Sequence, residues 1–153
     1  MLTLSQSVGY AVKALSCMQQ GHGDSPRFVR DIAACCDVPA AYLAKVFKRL
    51  VDHGILETKR GWSGGTRLAR PAASITLHEI ASALDGPGFL DGCLLGHERC
   101  TDERACPTHQ FWKLERARIA ETLRTTTLAS VIEFETARTT GARAPQTLAA
   151  VTR

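Results

Sequence analysis

Residues 39–70 read "PAAYLAKVFKRLVDHGILETKRGWSGGTRLAR", a helix pattern followed at once by a hairpin pattern. Leu43, Phe47, Leu50 and Val51 form an apolar stripe at helical spacing. Lys45, Lys48, Arg49 and Asp52 fall at i, i+3, i+4 and i+7, so they share a different face. Pro39 suits the first helical position, where its missing N–H costs nothing, and Gly54 supplies the stop. Beyond Gly54, the β-prone runs "ILETKR" and "TRLAR" flank the glycine-rich "GWSGG". This is the signature of a β-hairpin with a loop longer than two residues. Lys59 and Arg60 leave the first strand, Trp62 sits at the tip, and Arg67 and Arg70 lie on the second.

Upstream, "RFVRDIAACC" (27–36) predicts a short helix, and "DVP" predicts a tight turn into the helix from Pro39. Helix, short turn, helix with a cationic face, then a basic hairpin is the order of a winged helix-turn-helix. Charge supports a polyanionic partner. Residues 27–70 hold nine Lys and Arg against four Asp and Glu, while the rest of the chain has ten against eleven. The third helix would enter the major groove, and the wing would reach phosphates or the neighbouring minor groove. The candidate DNA contacts are Arg27, Tyr42, Lys45, Lys48, Arg49, Lys59, Arg60, Trp62 and Arg67.

The remaining segments predict a mainly α protein with a small β-hairpin wing. Leu4, Val8, Ala11, Val12, Leu15 and Met18 mark a first amphipathic helix. "ITLHEIASALDGP" (75–87) carries a capping box at Thr76 and Glu79, closed by Gly86-Pro87. From about Pro107 a long helix, "PTHQFWKLERARIAETLRT", presents Trp112, Ile119 and Leu123, with Phe111 and Leu114 beside them. It has no obvious partner in so small a domain, so it packs on the first helix or on a second copy of itself. "TTLASVIEF" predicts a short helix capped by Thr126 or Thr127. The expected organisation is a DNA-binding domain (1–90), a cysteine-rich loop (91–107), a dimerisation helix with a short C-terminal helix (108–138), and a disordered tail (139–153) rich in Thr, Ala, Gly and Pro.

The chain has 153 residues, 44% of them hydrophobic. No apolar run reaches the roughly 18–20 residues of a membrane helix, and the N-terminus lacks a signal-peptide pattern. A cytoplasmic protein is expected. In a reducing compartment, clustered cysteines serve metals or redox chemistry more often than disulfides. Three of the six cysteines lie in "CLLGHERCTDERACPTH" (93–109) with two histidines. Cys17, Cys35 and Cys36 fall in amphipathic helices and are expected to be buried, free and structural. The chain shows no C-x-x-C pair, nucleotide-binding glycine loop or nucleophile elbow, so no enzyme is expected.

Together "YAVKAL", "YLAKVFKRLVDHGIL", "RGWSGGTRLAR", "ITLHEIASALDGP" and "CPTHQFW" resemble the Rrf-two family of winged-helix repressors, over about residues 1–135. The family includes IscR-like, NsrR-like and RirA-like regulators. The resemblance implies a homodimer, joined by the long helix after the cysteines, on a pseudo-palindromic operator in double-stranded DNA. It also implies an iron–sulfur cluster, [2Fe–2S] or [4Fe–4S], sensing iron, redox state or nitric oxide. Cys93, Cys100 and Cys106 would be thiolate ligands, whose sulfur suits iron. The spacing of six, then five, residues departs from the usual five and five by a single loop insertion. In some members a carboxylate from the partner's first helix is the fourth ligand; here the aligned position is Gly9. His109, three residues after Cys106, is then the first choice, His97 the second, with Glu98, Asp102 and Glu103 behind. A Cys3His zinc site, a thiol switch without metal and a thiol oxidoreductase are the alternatives.

Overall fold

A computed structural model describes residues 4–19, 25–61, 64–97 and 99–141. Trp62, Glu98 and the tail from residue 142 onward lie outside the described residues. The helices are α1 (Gln6–Gln19), α2 (Val29–Cys36), α3 (Ala40–Asp52), α4 (Leu77–Asp85), α5 (His109–Thr125) and α6 (Leu128–Thr140). Strands β1 (Leu56–Lys59) and β2 (Gly65–Leu68) form the wing, and 3-10 turns occupy Ala72–Ser74 and Asp102–Arg104. The described architecture is the mainly helical winged fold that the sequence predicts.

The turn between α2 and α3 forms because Asp37 adopts the left-handed conformation (φ 53°), which lets the Val38 N–H return 3.1 Å to the Ala33 carbonyl. Pro39 stands one position earlier than expected. It is the N-cap of α3, and its carbonyl accepts from the Tyr42 and Leu43 N–H groups at 3.0 and 2.9 Å. Leu43, Val46, Phe47 and Leu50 of α3 are buried, while Val51 is half-buried. They join Val8 and Leu15 of α1, Ile32 of α2 and Ile80 of α4 in one core. Truncating a fully buried leucine such as Leu43 or Leu50 to alanine costs about 2–5 kcal/mol.

In the wing, β1 and β2 pair antiparallel, with Glu57 opposite Arg67 and Lys59 opposite Gly65. The backbone of Arg27 adds to the outer edge of β2, exchanging two hydrogen bonds with Thr66 at 3.0 and 2.8 Å. This close approach explains the glycine at position 65 of the wing. Gly65 has φ +143°, and a Cβ there would meet the Arg27 backbone at 2.8 Å.

Thr76 and Glu79 form the expected reciprocal capping box on α4. The Leu128 N–H donates to the Ile75 carbonyl at 2.7 Å, and Leu128 is fully buried, which seats α6 beside the start of α4. The last helix is longer than the short one expected. Thr127 caps it, accepting from the Ser130 N–H at 3.3 Å, and it continues to Thr140, where Gly141 turns left-handed. Residues 139 and 140 therefore belong to α6 and not to the tail.

The expectation for Cys17 and Cys35 is overturned. They are joined in a disulfide, with Cα atoms 6.4 Å apart, and only Cys36 is a free buried thiol. Neighbouring residues on a helix point about 100° apart, so Cys35 and Cys36 cannot both face the core. Cys36 enters it, and Cys35 lies at the exposed edge where α2 meets α1.

Candidate functional site

Two regions carry the chemistry: the cationic surface of α3 and the wing, and the loop between α4 and α5. On α3, Lys45, Lys48 and Arg49 are exposed, as burial of the opposite stripe requires. Lys48 Nζ pairs with Asp52 Oδ2 at 2.8 Å. Lys45, Arg49, Lys59 and Arg60 make no ion pair with any described residue. On the wing, Arg67 is held by Glu57, its cross-strand partner. Such exposed pairs contribute about 0–1 kcal/mol, so a phosphate can displace the carboxylate at little cost.

Two candidate DNA contacts have other partners. The Arg27 guanidinium donates to the Cys17 carbonyl at the end of α1 (2.9 Å). The Tyr42 hydroxyl lies 2.7 Å from Ser7 Oγ, and its ring packs edge-on against Tyr10. Both tie the helix-turn-helix to α1. Trp62 lies outside the described residues.

In the loop, Cys93, Cys100 and Cys106 line one recess of about 480 Å³ together with His97, Arg99 and Arg104. Its frame is local. Gly92 bridges to Arg99, the Cys100 N–H donates to the Asp91 carbonyl at 3.0 Å, and the Trp112 indole donates to the Gly92 carbonyl at 2.7 Å. Cys93 and Cys106 sulfurs are 3.9 Å apart. His109 opens α5 and is buried (2% exposed), with Nδ1 3.2 Å from Cys100 Sγ. Its Nε2 lies 2.8 Å from Asp102 Oδ1. The hydrogen bond from Lys113, and then that from His109, hold the Asp102 carboxyl below its usual range. Hydrogen bonds from Thr108, by side chain and backbone, hold the Cys106 thiol below its usual range and so favour the thiolate.

The loop therefore brings together four of the sequence-predicted ligands: the three cysteines and His109. His97 is exposed on the recess wall, Glu103 is exposed away from it, and Glu98 lies outside the described residues. Asp102, a fallback ligand by sequence, is instead the hydrogen-bond partner that orients His109. Thr108 and the Gly92 carbonyl carry no sequence signal of their own; they matter only once the chain is folded. Among the described residues, no three His, Cys, Asp or Glu side chains converge tightly enough to hold a single metal ion.

Known proteins agree on the fold and the class. The solved structure of CymR, the global cysteine regulator of B. subtilis, superposes with TM-score 0.70 at 24% identity, covering 84% of this chain and 95% of that one. IscR of T. potens superposes with TM-score 0.65 at 26% identity, covering 84% of each chain. The HTH-type transcriptional regulator IscR of Yersinia pseudotuberculosis is 29% identical over 131 residues, 86% of this chain and 79% of its own length. These are transcriptional regulators, not enzymes, and among the described residues no helix is long and apolar enough to cross a membrane. Residues 4–134 match the model of Rrf2, described as an iron-dependent transcriptional regulator, and the chain belongs to that family.

Proposed function

We propose that this protein is a homodimeric, cytoplasmic repressor of a bacterium. It binds a pseudo-palindromic operator through α3 and the wing, and its affinity is set by an iron–sulfur cluster on the α4–α5 loop. Lys45 and Arg49 read bases in the major groove, with Tyr42 and Lys48 beside them. Lys59, Arg60, Trp62 and Arg67 track phosphates. Cys93, Cys100 and Cys106 supply thiolates, and His109 is the fourth ligand. When bound, such a cluster supplies a group whose oxidation, nitrosylation or loss reports the state of the cell.

The observation that carries this reading is the buried His109, facing Cys100 on one side and Asp102 on the other. Metal-ligating histidines commonly have their second ring nitrogen held by a carboxylate in this way, which fixes tautomer and orientation. His109 is also the first residue of α5, so what orders the loop also sets the start of that helix. A tenfold change in operator affinity needs only about 1.4 kcal/mol of differential stabilisation between loaded and empty states.

A thiol-only variant of the same reading has one observation in its favour: the Cys93 and Cys106 sulfurs lie near each other (3.9 Å). One experiment separates the two. Anaerobically isolated protein should be coloured and contain iron and sulfide, and alanine at Cys93, Cys100 or Cys106 should abolish both. Protein that takes up zinc alone, or binds the operator equally in coloured and colourless forms, would end the cluster reading and leave the DNA-binding one.

A further inference from the structure

The disulfide between Cys17 and Cys35 lies at the joint of α1 and α2, on elements other than those that carry Cys93, Cys100 and Cys106. We propose that Cys17 and Cys35 form a second, reversible redox site, which locks the helix-turn-helix onto α1 and thereby raises operator affinity. The last clause rests on the DNA-binding reading above; the redox site itself does not.

Four observations converge. Cys35 is exposed and Cys17 is 8% exposed, so an oxidant meets Cys35 first and the second thiol is shielded beneath it. Cys36, the remaining thiol of this region, is buried, and that burial pushes its thiol above the usual cysteine range, which keeps it out of exchange. All three cysteines line one small cavity, about 130 Å³, together with Lys13, Ser16, Glu135 and Thr139. Lys13 and Glu135 put one charge of each sign in the wall of that cavity. Ser16 is 97% buried and its hydroxyl has no hydrogen-bond partner among the described residues, so a polar atom is left available in the wall of that cavity. A disulfide in a protein of the reducing cytoplasm is more often a transient redox device than a permanent staple.

The chemistry balances with hydrogen peroxide as oxidant. The Cys35 thiolate attacks one peroxide oxygen; the S–O bond forms, the O–O bond breaks, and with one proton the leaving oxygen departs as water. The Cys17 sulfur then attacks the Cys35 sulfur. The S–S bond forms, the S–O bond breaks, and hydroxide leaves with the Cys17 proton as a second water. Two thiols lose two electrons and two protons, and one peroxide becomes two waters. A cellular dithiol reverses the step by exchange and is itself oxidised to a disulfide.

The mechanical consequence follows from position. Cys35 is five residues before the first residue of α3, and the Arg27 guanidinium, whose backbone edges the wing, is bonded to the Cys17 carbonyl. A covalent link at this joint therefore fixes α2 and the wing edge against α1 together. Opening it restores freedom to a loop closed over a separation of 18 residues.

The test uses the full chain, anaerobically, treated with hydrogen peroxide, with glutathione disulfide or with dithiothreitol. Differential alkylation and peptide mass spectrometry read the pairing. The operator probe is a duplex selected from a random-sequence pool. The expected result is a Cys17–Cys35 linked peptide that both oxidants form and dithiothreitol removes, and a melting temperature about 5–10 °C lower when reduced. Oxidised protein should bind the duplex five- to tenfold tighter than reduced protein. Cys35→Ser, an exposed and nearly isosteric change, should keep the fold and abolish the difference. Cys17 and Cys35 that stay alkylatable at saturating oxidant would overturn the site. Equal affinity in the two states, tighter binding when reduced, or an affinity change that persists in Cys35→Ser would overturn the coupling. Binding in neither state, with the linked peptide still forming and opening, would sink the operator reading and leave the redox site standing.

Discussion

Asp102 Oδ1 accepts a hydrogen bond from His109 Nε2 across 2.8 Å, joining the 3-10 turn of the cysteine loop to the first residue of α5. The same carboxylate also receives Lys113 Nζ at 2.8 and 2.9 Å. Asp102 thus holds two residues of α5 from outside the recess. Its replacement by alanine removes the orienting partner but no proposed ligand. Loss of such a partner typically weakens a metal site by about 10–100-fold. On the proposed cluster reading, Asp102→Ala should still load a cluster, yet lose visible absorbance at least tenfold faster than wild type when air is admitted. An unchanged decay rate would mean that His109 is not held through Asp102 for ligation.

Arg49 and Arg60 should behave differently toward DNA, because one lies on the exposed face of the helix proposed to enter the groove and the other just beyond a strand. Arg49→Ala should cost about 1–3 kcal/mol on the best operator and relax preference at one base position. Arg60→Ala should weaken binding to all duplexes alike and reduce the slope of log K against log salt by about one. Titrations at four salt concentrations on matched and mismatched duplexes separate the two effects. Identical behaviour of the two variants would contradict the proposed docking.

The contrast between these regions shows what the sequence carries. The helix-turn-helix and wing are legible because each rests on local chemistry: a stripe at helical spacing, a turn, a capping box, and glycines in a hairpin. Even so, the need for Gly65 comes from Arg27, far away in sequence, whose backbone lies where a Cβ would go. The three loop cysteines are visible in the sequence as a group, but the role of Asp102 is not, since only folding brings the 3-10 turn against α5. The length of α6 has little sequence signal because few of its side chains are buried: Leu128 is buried at its start, while Phe134 is 49% exposed. The Cys17–Cys35 bond joins two helices and has no spacing signature, and adjacent cysteines give no hint of which one turns outward.

Acid should loosen the start of α4 through one side chain. Burial pushes the Glu79 carboxyl up, but hydrogen bonds from the Thr76 N–H, Arg70 and the Thr76 hydroxyl outweigh it and hold the carboxyl below its usual range. The folded state therefore favours the ionised form. Its contribution is present above the ordinary glutamate pKa and is lost as pH falls through the lower, folded value. The melting temperature should drop as pH is lowered from about 5 to 3, and Glu79→Gln should flatten that drop while lowering stability at neutral pH. Parallel melting curves for the two proteins across this range would show that the cap is not the titrating element.

Phe111 and Leu114 are 60% and 62% exposed on α5, although the same helix buries Trp112 and Leu123 against its own chain. Exposed apolar side chains are normal singly, but Phe111 and Leu114 stand one turn apart on α5 and so form one small patch. In the proposed dimer a second copy of α5 would cover this patch, and an operator with half-sites one duplex turn apart would then require the two α3 helices to stand about 34–36 Å apart. The double variant Phe111→Glu and Leu114→Glu adds charge where the structure leaves open surface, so the chain should still fold, with unchanged helical circular dichroism. Sedimentation at micromolar concentration should give about twice the chain mass for wild type and the single chain mass for the variant. The variant should also lose at least tenfold in affinity for a two-half-site operator while retaining most of its weak affinity for an isolated half-site. A variant that stays dimeric places the interface on another face of the molecule; a wild type that sediments as one chain and fills a single half-site removes the dimer altogether.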